Sequence, residues 1–206
     1  MNNLEGAVFD ALEPAGCPVC RLTRSAAYHY LDSLIYEAVN DPGVRAALER
    51  SGGFCPPHFW LLTRVENPAG GVTMLTQALL EEPPRLPRQY AAHTWIGSGA
   101  PCPACEVQAQ AEDRYESVIR KHAARPEWRG AYSTGASLLC RPHALRCGQD
   151  WQDETARKEA ALRAELAEFT RKQDYRFAHE PLGSEGNAWR RAVAVLAGLG
   201  PEQKGS

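Results

Sequence analysis

From Leu22 onward, apolar side chains recur every four residues: Leu22, Ala26, Tyr30, Leu34 and Ala38, with Leu31, Ile35 and Val39 widening the stripe. A stripe of that period and width is the core-facing side of an amphipathic helix. Asn40-Asp41-Pro42 interrupts it. Asp41 is placed to cap a short second helix and Pro42 to occupy its first position, where a missing N–H costs nothing. Ser51-Gly52-Gly53 closes that helix. A third is predicted from Cys55 to about Val65, and a fourth over residues 72–80 after the break "ENPAGG". The stretch "EEPPRLPRQY" has three prolines in five residues, which forbids regular helix and marks a linker.

Beyond the linker the pattern restarts. Cys105 to about Ala124 reads as a helix ended by Arg125-Pro126, and "EWRGAYSTGAS" as a weaker short one. Another starts near Cys140. Residues 153–178 form a long charged helix with Ala156, Leu162, Leu166 and Phe169 as a narrow apolar seam. Ser184 can cap a final helix over "AWRRAVAVLAGL". Alternation of β-branched residues between turns, the mark of strands, is absent. The expectation is an all-α chain of two pseudo-repeated helical units packed together, plus a long C-terminal helix and a final short helix. Its divisions fall at 1–82, 83–100 (linker), 101–150 and 151–206.

The restart is a repeat in the strict sense. Cys17 and Cys20 in "CPVC" stand 38 positions before Cys55 in "CPPH"; Cys102 and Cys105 in "CPAC" stand 38 before Cys140 in "CRPH". Both copies read C-P-x-C-x34-C-x-P-H with an offset of 85. Tyr30 maps onto Tyr115, Ala38 onto Ala123, Ala46 onto Ala131 and Pro57 onto Pro142. Three thiolates and one imidazole form the closed tetrahedral set of a structural zinc site. Ligands three positions apart converge on one ion where the backbone turns into a helix, and the free N–H groups there stabilise thiolates. Two zinc ions per chain are expected. Each is expected to tie together the two helix starts of one copy: Cys17, Cys20, Cys55 and His58 in the first, Cys102, Cys105, Cys140 and His143 in the second. Iron–sulfur ligation, C-x-x-C disulfides and free thiols are the alternatives. The seventh cysteine, Cys147, maps onto Leu62 and reads as a small buried hydrophobe, with a swap into the ligand shell under oxidation as the other possibility.

Bulk composition narrows the function little. Of 206 residues, 44% are apolar and 23% charged, and the net charge of −2 selects neither nucleic acid nor an anionic membrane. No run reaches the roughly 18 apolar residues a spanning helix needs, and the N-terminus lacks a signal-peptide pattern. A cytoplasmic setting follows, in which seven cysteines do not form a disulfide framework. Arg120, Lys121, Arg125, Arg129, Arg141 and Arg146, with His122, cluster in the second copy and make nucleic-acid binding a reading to test. Glu112, Asp113 and Glu116 nearby favour an ordinary solvated face. Asp174, Tyr175, Arg176, His179 and Glu185 could be catalytic but read better as a hydrogen-bonded anchor, and "GSG" at 97–99 is not a phosphate loop.

The first unit from "CPVC" to "FCPPH", the second "CPAC…CRPH" and the tail "DYRFAHEPLGSEGNAWRRAVAVLAG" together resemble an uncharacterised bacterial family of unknown function with tandem CPxC…CxPH units. The resemblance covers about residues 12 to 198 and implies the ligand assignment and a bacterial cytoplasmic setting. It implies no activity. The function expected is a non-catalytic zinc protein, an interaction or regulatory module whose partner is an unknown protein or a second copy met through the C-terminal helices. A nucleic-acid-binding protein or a zinc-thiolate redox sensor is the alternative.

Overall fold

The computed structural model describes residues 2–66, 68–81 and 101–198. The linker expected at 83–100 and the tail from 201 lie outside them. The chain is all-α. The helices are α1 (Asn3–Asp10), α2 (Pro18–Ser33), α3 (Pro42–Ser51), α4 (Pro56–Leu62), α5 (Pro68–Glu81), α6 (Pro103–Lys121), α7 (Pro126–Thr134), α8 (Arg141–Cys147), α9 (Gln149–Lys172) and α10 (Ala188–Ala197). A π-helical turn, Leu34–Ala38, continues α2, and a 3₁₀ turn, Ser184–Asn187, leads into α10.

The helix ends follow local chemistry. Asp41 accepts a hydrogen bond from Val44 N at 3.0 Å and Pro42 opens α3. Gly52 closes it in the left-handed region at φ 69°, a conformation that favours glycine. The long helix α9 starts several residues earlier than the sequence indicates, because Gly148 at φ 105° already turns the chain into it, and it ends earlier too, at Lys172. Periodicity does not announce α1. Its signal is a capping box: Asn2 accepts from Glu5 N at 2.8 Å while the Glu5 carboxylate accepts from Asn2 N at 3.1 Å.

The chain divides into two compact units. One is Met1–Leu22 with Glu112–Ser206; the other is Thr23–Ala111. These bounds cut across the divisions expected from the repeat. The first unit is built on Leu12, Ile119, Trp128, Tyr132, Leu139 and Trp151, all buried. A smaller cluster of Leu162, Ala188 and Val195 joins α10 to α9. The second unit is built on Leu31, Leu34, Leu48, Phe54, Leu62 and Leu75. Gly71 on α5 lies so close to the π-helical turn that a Cβ there would stand 2.6 Å from Ile35 Cγ2 and 2.9 Å from Ile35 O.

A short piece of extended chain brings two distant motifs together. Residues 13–16 run beside 136–138: Ala136 N donates to Glu13 O at 2.8 Å, and Leu138 N to Gly16 O at 3.1 Å. Ser137 Oγ donates to Leu12 O at 2.6 Å. Gly16 and Ser137 form an isolated parallel bridge. The chain therefore enters Cys17 and Cys140 from the same place.

Candidate metal centres

Each of the four motifs sits at a helix N-terminus. Cys55 and Cys140 are the N-caps of α4 and α8, in extended conformation, with proline in the first turn. Cys17 and Cys102 immediately precede the prolines that open α2 and α6. In all four, the first cysteine's carbonyl accepts the first helical bond: from Arg21 N, Phe59 N, Glu106 N and Ala144 N, at 2.9–3.2 Å. The second ligand then lies one turn in, on the same side as the first. Proline fits because an N–H at that position has no intrahelical partner.

The partners differ from those expected. Cys17 and Cys20 meet Cys140 and His143; Cys55 and His58 meet Cys102 and Cys105. Each copy of the repeat gives half of its ligands to the other copy, so pairing within a copy is corrected to pairing across copies. In the first unit the physical reason is the run of 13–16 beside 136–138, which delivers Cys17 to Cys140. In each group the four donor atoms lie within 4.8 Å of one another.

In the first centre, His143 Nδ1 lies 3.4 Å from Cys17 Sγ, 3.3 Å from Cys20 Sγ and 2.9 Å from Cys140 Sγ, and Cys20 Sγ is 3.8 Å from Cys140 Sγ. In the second, His58 Nδ1 lies 3.1 Å from Cys55 Sγ, 3.6 Å from Cys102 Sγ and 3.4 Å from Cys105 Sγ, with Cys55 and Cys105 at 3.6 Å. Sulfurs bound to one tetrahedral zinc stand about 3.8 Å apart, and sulfur and nitrogen about 3.5 Å, from Zn–S and Zn–N lengths near 2.3 and 2.05 Å. The measured separations, 2.9–3.8 Å, lie near or below those values, with all four donors of each group within 4.8 Å of one another. None of the seven cysteines is joined to another at the roughly 2.05 Å of a disulfide.

Both imidazoles are fixed from behind. With Nδ1 turned to the sulfurs, Nε2 carries the proton. His143 donates it to Glu112 at 2.8 Å, and His58 donates to the amide oxygen of Gln108 at 2.9 Å. This outer contact sets tautomer and ring orientation at metal-binding histidines. Arg146 bonds Glu112 and approaches Glu116 at 2.9 Å, so the acidic group Glu112, Glu116 and His143 already holds a cation. Neither Glu112 nor Gln108 is signalled by motif spacing.

Without a metal, several of the donors hold their protons more tightly than usual. Burial lowers the affinity of His143 for a proton, but bonds to Cys140 and Cys20 outweigh it and hold the imidazole up at about 10. The Cys17 thiol is pushed far up by its hydrogen bonds to Cys140 and Cys20 and by burial. Burial likewise pushes Cys105 up. Cys102 goes the other way, to about 6, since bonds from His58 and the backbone at Cys55 and Cys105 overcome its burial. A divalent cation entering either centre displaces protons, so its affinity rises with pH.

Cys147 is buried in the first unit's core and belongs to neither group; burial pushes its thiol up to about 12. The basic candidates are largely tied in place. Arg120 donates to Arg146 O, Lys121 to Glu5, Arg141 to both oxygens of Glu159, and Arg146 to Glu112. Arg125 and Arg129 are exposed at the start of α7. At the C-terminal anchor, Arg176 pairs with Asp174, while Lys172 Nζ at 2.7 Å and Gly183 N at 2.9 Å hold the Glu185 carboxyl down at about 2.

Residues 7–94 match a family described as "Family of unknown function (DUF6062)". That span includes Cys17, Cys20, Cys55 and His58 and stops short of the other four donors, so it covers half of each centre. Over 201 residues the chain is 24% identical to a Caldicellulosiruptor sp. (strain Rt8B.4) protein described as "Uncharacterized 23.9 kDa protein in xynA 3'region", covering 88% of this chain and 95% of that protein. No solved structure matches. Among the described residues, no helix is long and apolar enough to cross a membrane.

Proposed function

We propose that the protein binds two zinc ions, Cys17, Cys20, Cys140 and His143 holding one and Cys55, His58, Cys102 and Cys105 the other, and that it serves as a non-catalytic interaction or regulatory module. The observation that carries this is the donor geometry: three sulfurs and one Nδ1 within 4.8 Å of one another, twice, each imidazole braced on its far side. A closed set of four protein donors leaves no position for a substrate, which is the arrangement of a structural rather than a catalytic zinc. An iron–sulfur cluster fits less well, because a two-iron cluster divides its protein donors between two metals and spreads them further apart. The basic residues of the second copy are mostly paired with acidic neighbours or backbone carbonyls, so a nucleic-acid face is not favoured.

The test is metal analysis of chain purified without chelator. Two zinc per chain are expected, with binding that weakens as pH falls because six thiols and two imidazoles must give up protons. Metal-free chain that takes up neither zinc nor cobalt at neutral pH would overturn the reading. Iron with acid-labile sulfide would replace zinc by a cluster.

A further inference from the structure

The two centres are not equivalent, although the repeat makes their ligands so. In the first, Cys17 and Cys140 are 3% and 1% exposed and Cys20 is half-buried. In the second, Cys102 alone of the three cysteines is buried, with His58; Cys55 is half-buried and Cys105 exposed. The difference has a visible source in the first unit. Helix α10, which has no counterpart in the first repeat, packs on α8 and ends at Gly198. A Cβ at Gly198 would stand 3.4 Å from Cys20 Sγ and 3.9 Å from Cys140 Sγ, so the chain lies directly over the thiolates. Behind the histidines the contrast runs the same way. His143 donates to a carboxylate, which raises the basicity of a ligating imidazole, whereas His58 donates to a neutral amide.

We propose that Cys55 and Cys105 are a site of oxidative modification: a hydroperoxide-class oxidant joins them as a disulfide and releases the second centre's zinc, while the first centre keeps its own. This rests on the zinc reading above. The exposed Cys105 thiolate attacks the peroxide, cleaving its O–O bond and becoming a sulfenic acid as one oxygen leaves as hydroxide. The Cys55 thiolate, 3.6 Å away, then attacks the Cys105 sulfur and expels the second hydroxide. Two thiolates lose two electrons, the peroxide gains them, and two protons from solvent complete two waters for hydrogen peroxide, or one water and an alcohol where an alkyl hydroperoxide leaves as alkoxide. The zinc is left with Cys102 and His58, too few donors to hold it. A thiol reductant reverses the step and restores the four-donor set. In the first centre, Cys20 and Cys140 are 3.8 Å apart, close enough for the same bond, so access and not spacing separates the two.

The experiment treats the zinc-loaded full-length chain with excess hydrogen peroxide and follows zinc with a chromogenic chelator, while mass spectrometry maps disulfides through time. One zinc equivalent should appear at least about tenfold faster than the other, together with a Cys55–Cys105 disulfide, and thiol reductant plus zinc should return it. Glu112→Gln, which gives the first centre a neutral outer acceptor, should narrow the gap in rates. Both equivalents leaving together, or a Cys20–Cys140 disulfide forming first, overturns the inference and leaves the zinc reading intact. A chain with no zinc before oxidant is added fails the zinc reading itself.

Discussion

Lys158 is the side chain on which the first centre's approach segment hangs, and its replacement by methionine should cost both stability and zinc affinity. Its ammonium donates to Gly135 O at 2.8 Å and Ser137 O at 2.6 Å, and also to Tyr132 O. It lies 4.4 Å from the centroid of the Tyr132 ring. Two of those carbonyls end α7 and one lies on the strip 136–138, so one cation closes a helix C-terminus and pins the chain leading to Cys140. Methionine keeps most of the stem and a similar helix propensity. What goes is the charge and its donors. A hydrogen bond to a charged group contributes about 1.5–3 kcal/mol, and a favourable charge at a helix end a further ~0.5. Three such bonds from one ammonium do not sum, and the half-buried charge costs desolvation, which is what holds Lys158 below its usual pKa. A net loss of about 2–4 kcal/mol remains. For a chain of this size that is a fall of roughly 5–15 °C in Tm. Thermal and urea unfolding of zinc-loaded wild type and Lys158→Met read it directly. Competition with a chelator should show the first centre's zinc held less tightly and the second's unchanged. A loss below about 0.5 kcal/mol, the size of an ordinary surface change, with unchanged zinc retention would refute the reasoning.

Three other outcomes are expected from the same geometry. Gly71→Ala places a methyl against Ile35 of the π-helical turn and should destabilise the second unit by about 1–3 kcal/mol in urea unfolding; no change would mean the helices part freely. Glu112→Gln should weaken zinc at the first centre by about 10–100-fold in chelator competition without touching the second; equal loss at both would assign Glu112 a general structural role. Glu5 is held down at about 2 by Lys121, the backbone of Asn2 and His122, below the 4.5 of a free carboxyl. Its folded pKa is lowered, so its stabilisation is complete above the ordinary carboxyl value and is lost as pH falls towards 2. The stability gap between wild type and Glu5→Gln should therefore shrink over that interval; a gap independent of pH would remove Glu5 from the account.

The helices and the ligand residue types are legible in the sequence because each rests on local chemistry: a 3.6-residue stripe, Asp41 with Pro42, a proline after each first cysteine. The pairing is not. The two C-P-x-C segments are near copies, and so are the two C-x-P-H segments, so motif spacing is satisfied equally by pairing within a copy or across copies. Loop closure does not break the tie. Lengthening the intervening chain from the 34 residues after Cys20 to the 119 that separate it from Cys140 costs only about 1 kcal/mol. What decides is tertiary: Ala136 and Leu138 bonding to Glu13 and Gly16, and Ser137 to Leu12. None of those contacts has a periodic signature. The unequal exposure of the centres is equally hidden, since it depends on where α10 ends.

The exchange of ligands between the two copies is the claim on which the rest depends, and zinc content of two double variants tests it most directly. Cys17→Ser with Cys140→Ser removes two donors from one centre if ligands are exchanged, and one from each if they are not; Cys17→Ser with Cys55→Ser reverses the two cases. The first variant should keep one tightly held zinc and the second none. One zinc in Cys17→Ser/Cys55→Ser and none in Cys17→Ser/Cys140→Ser would contradict the account.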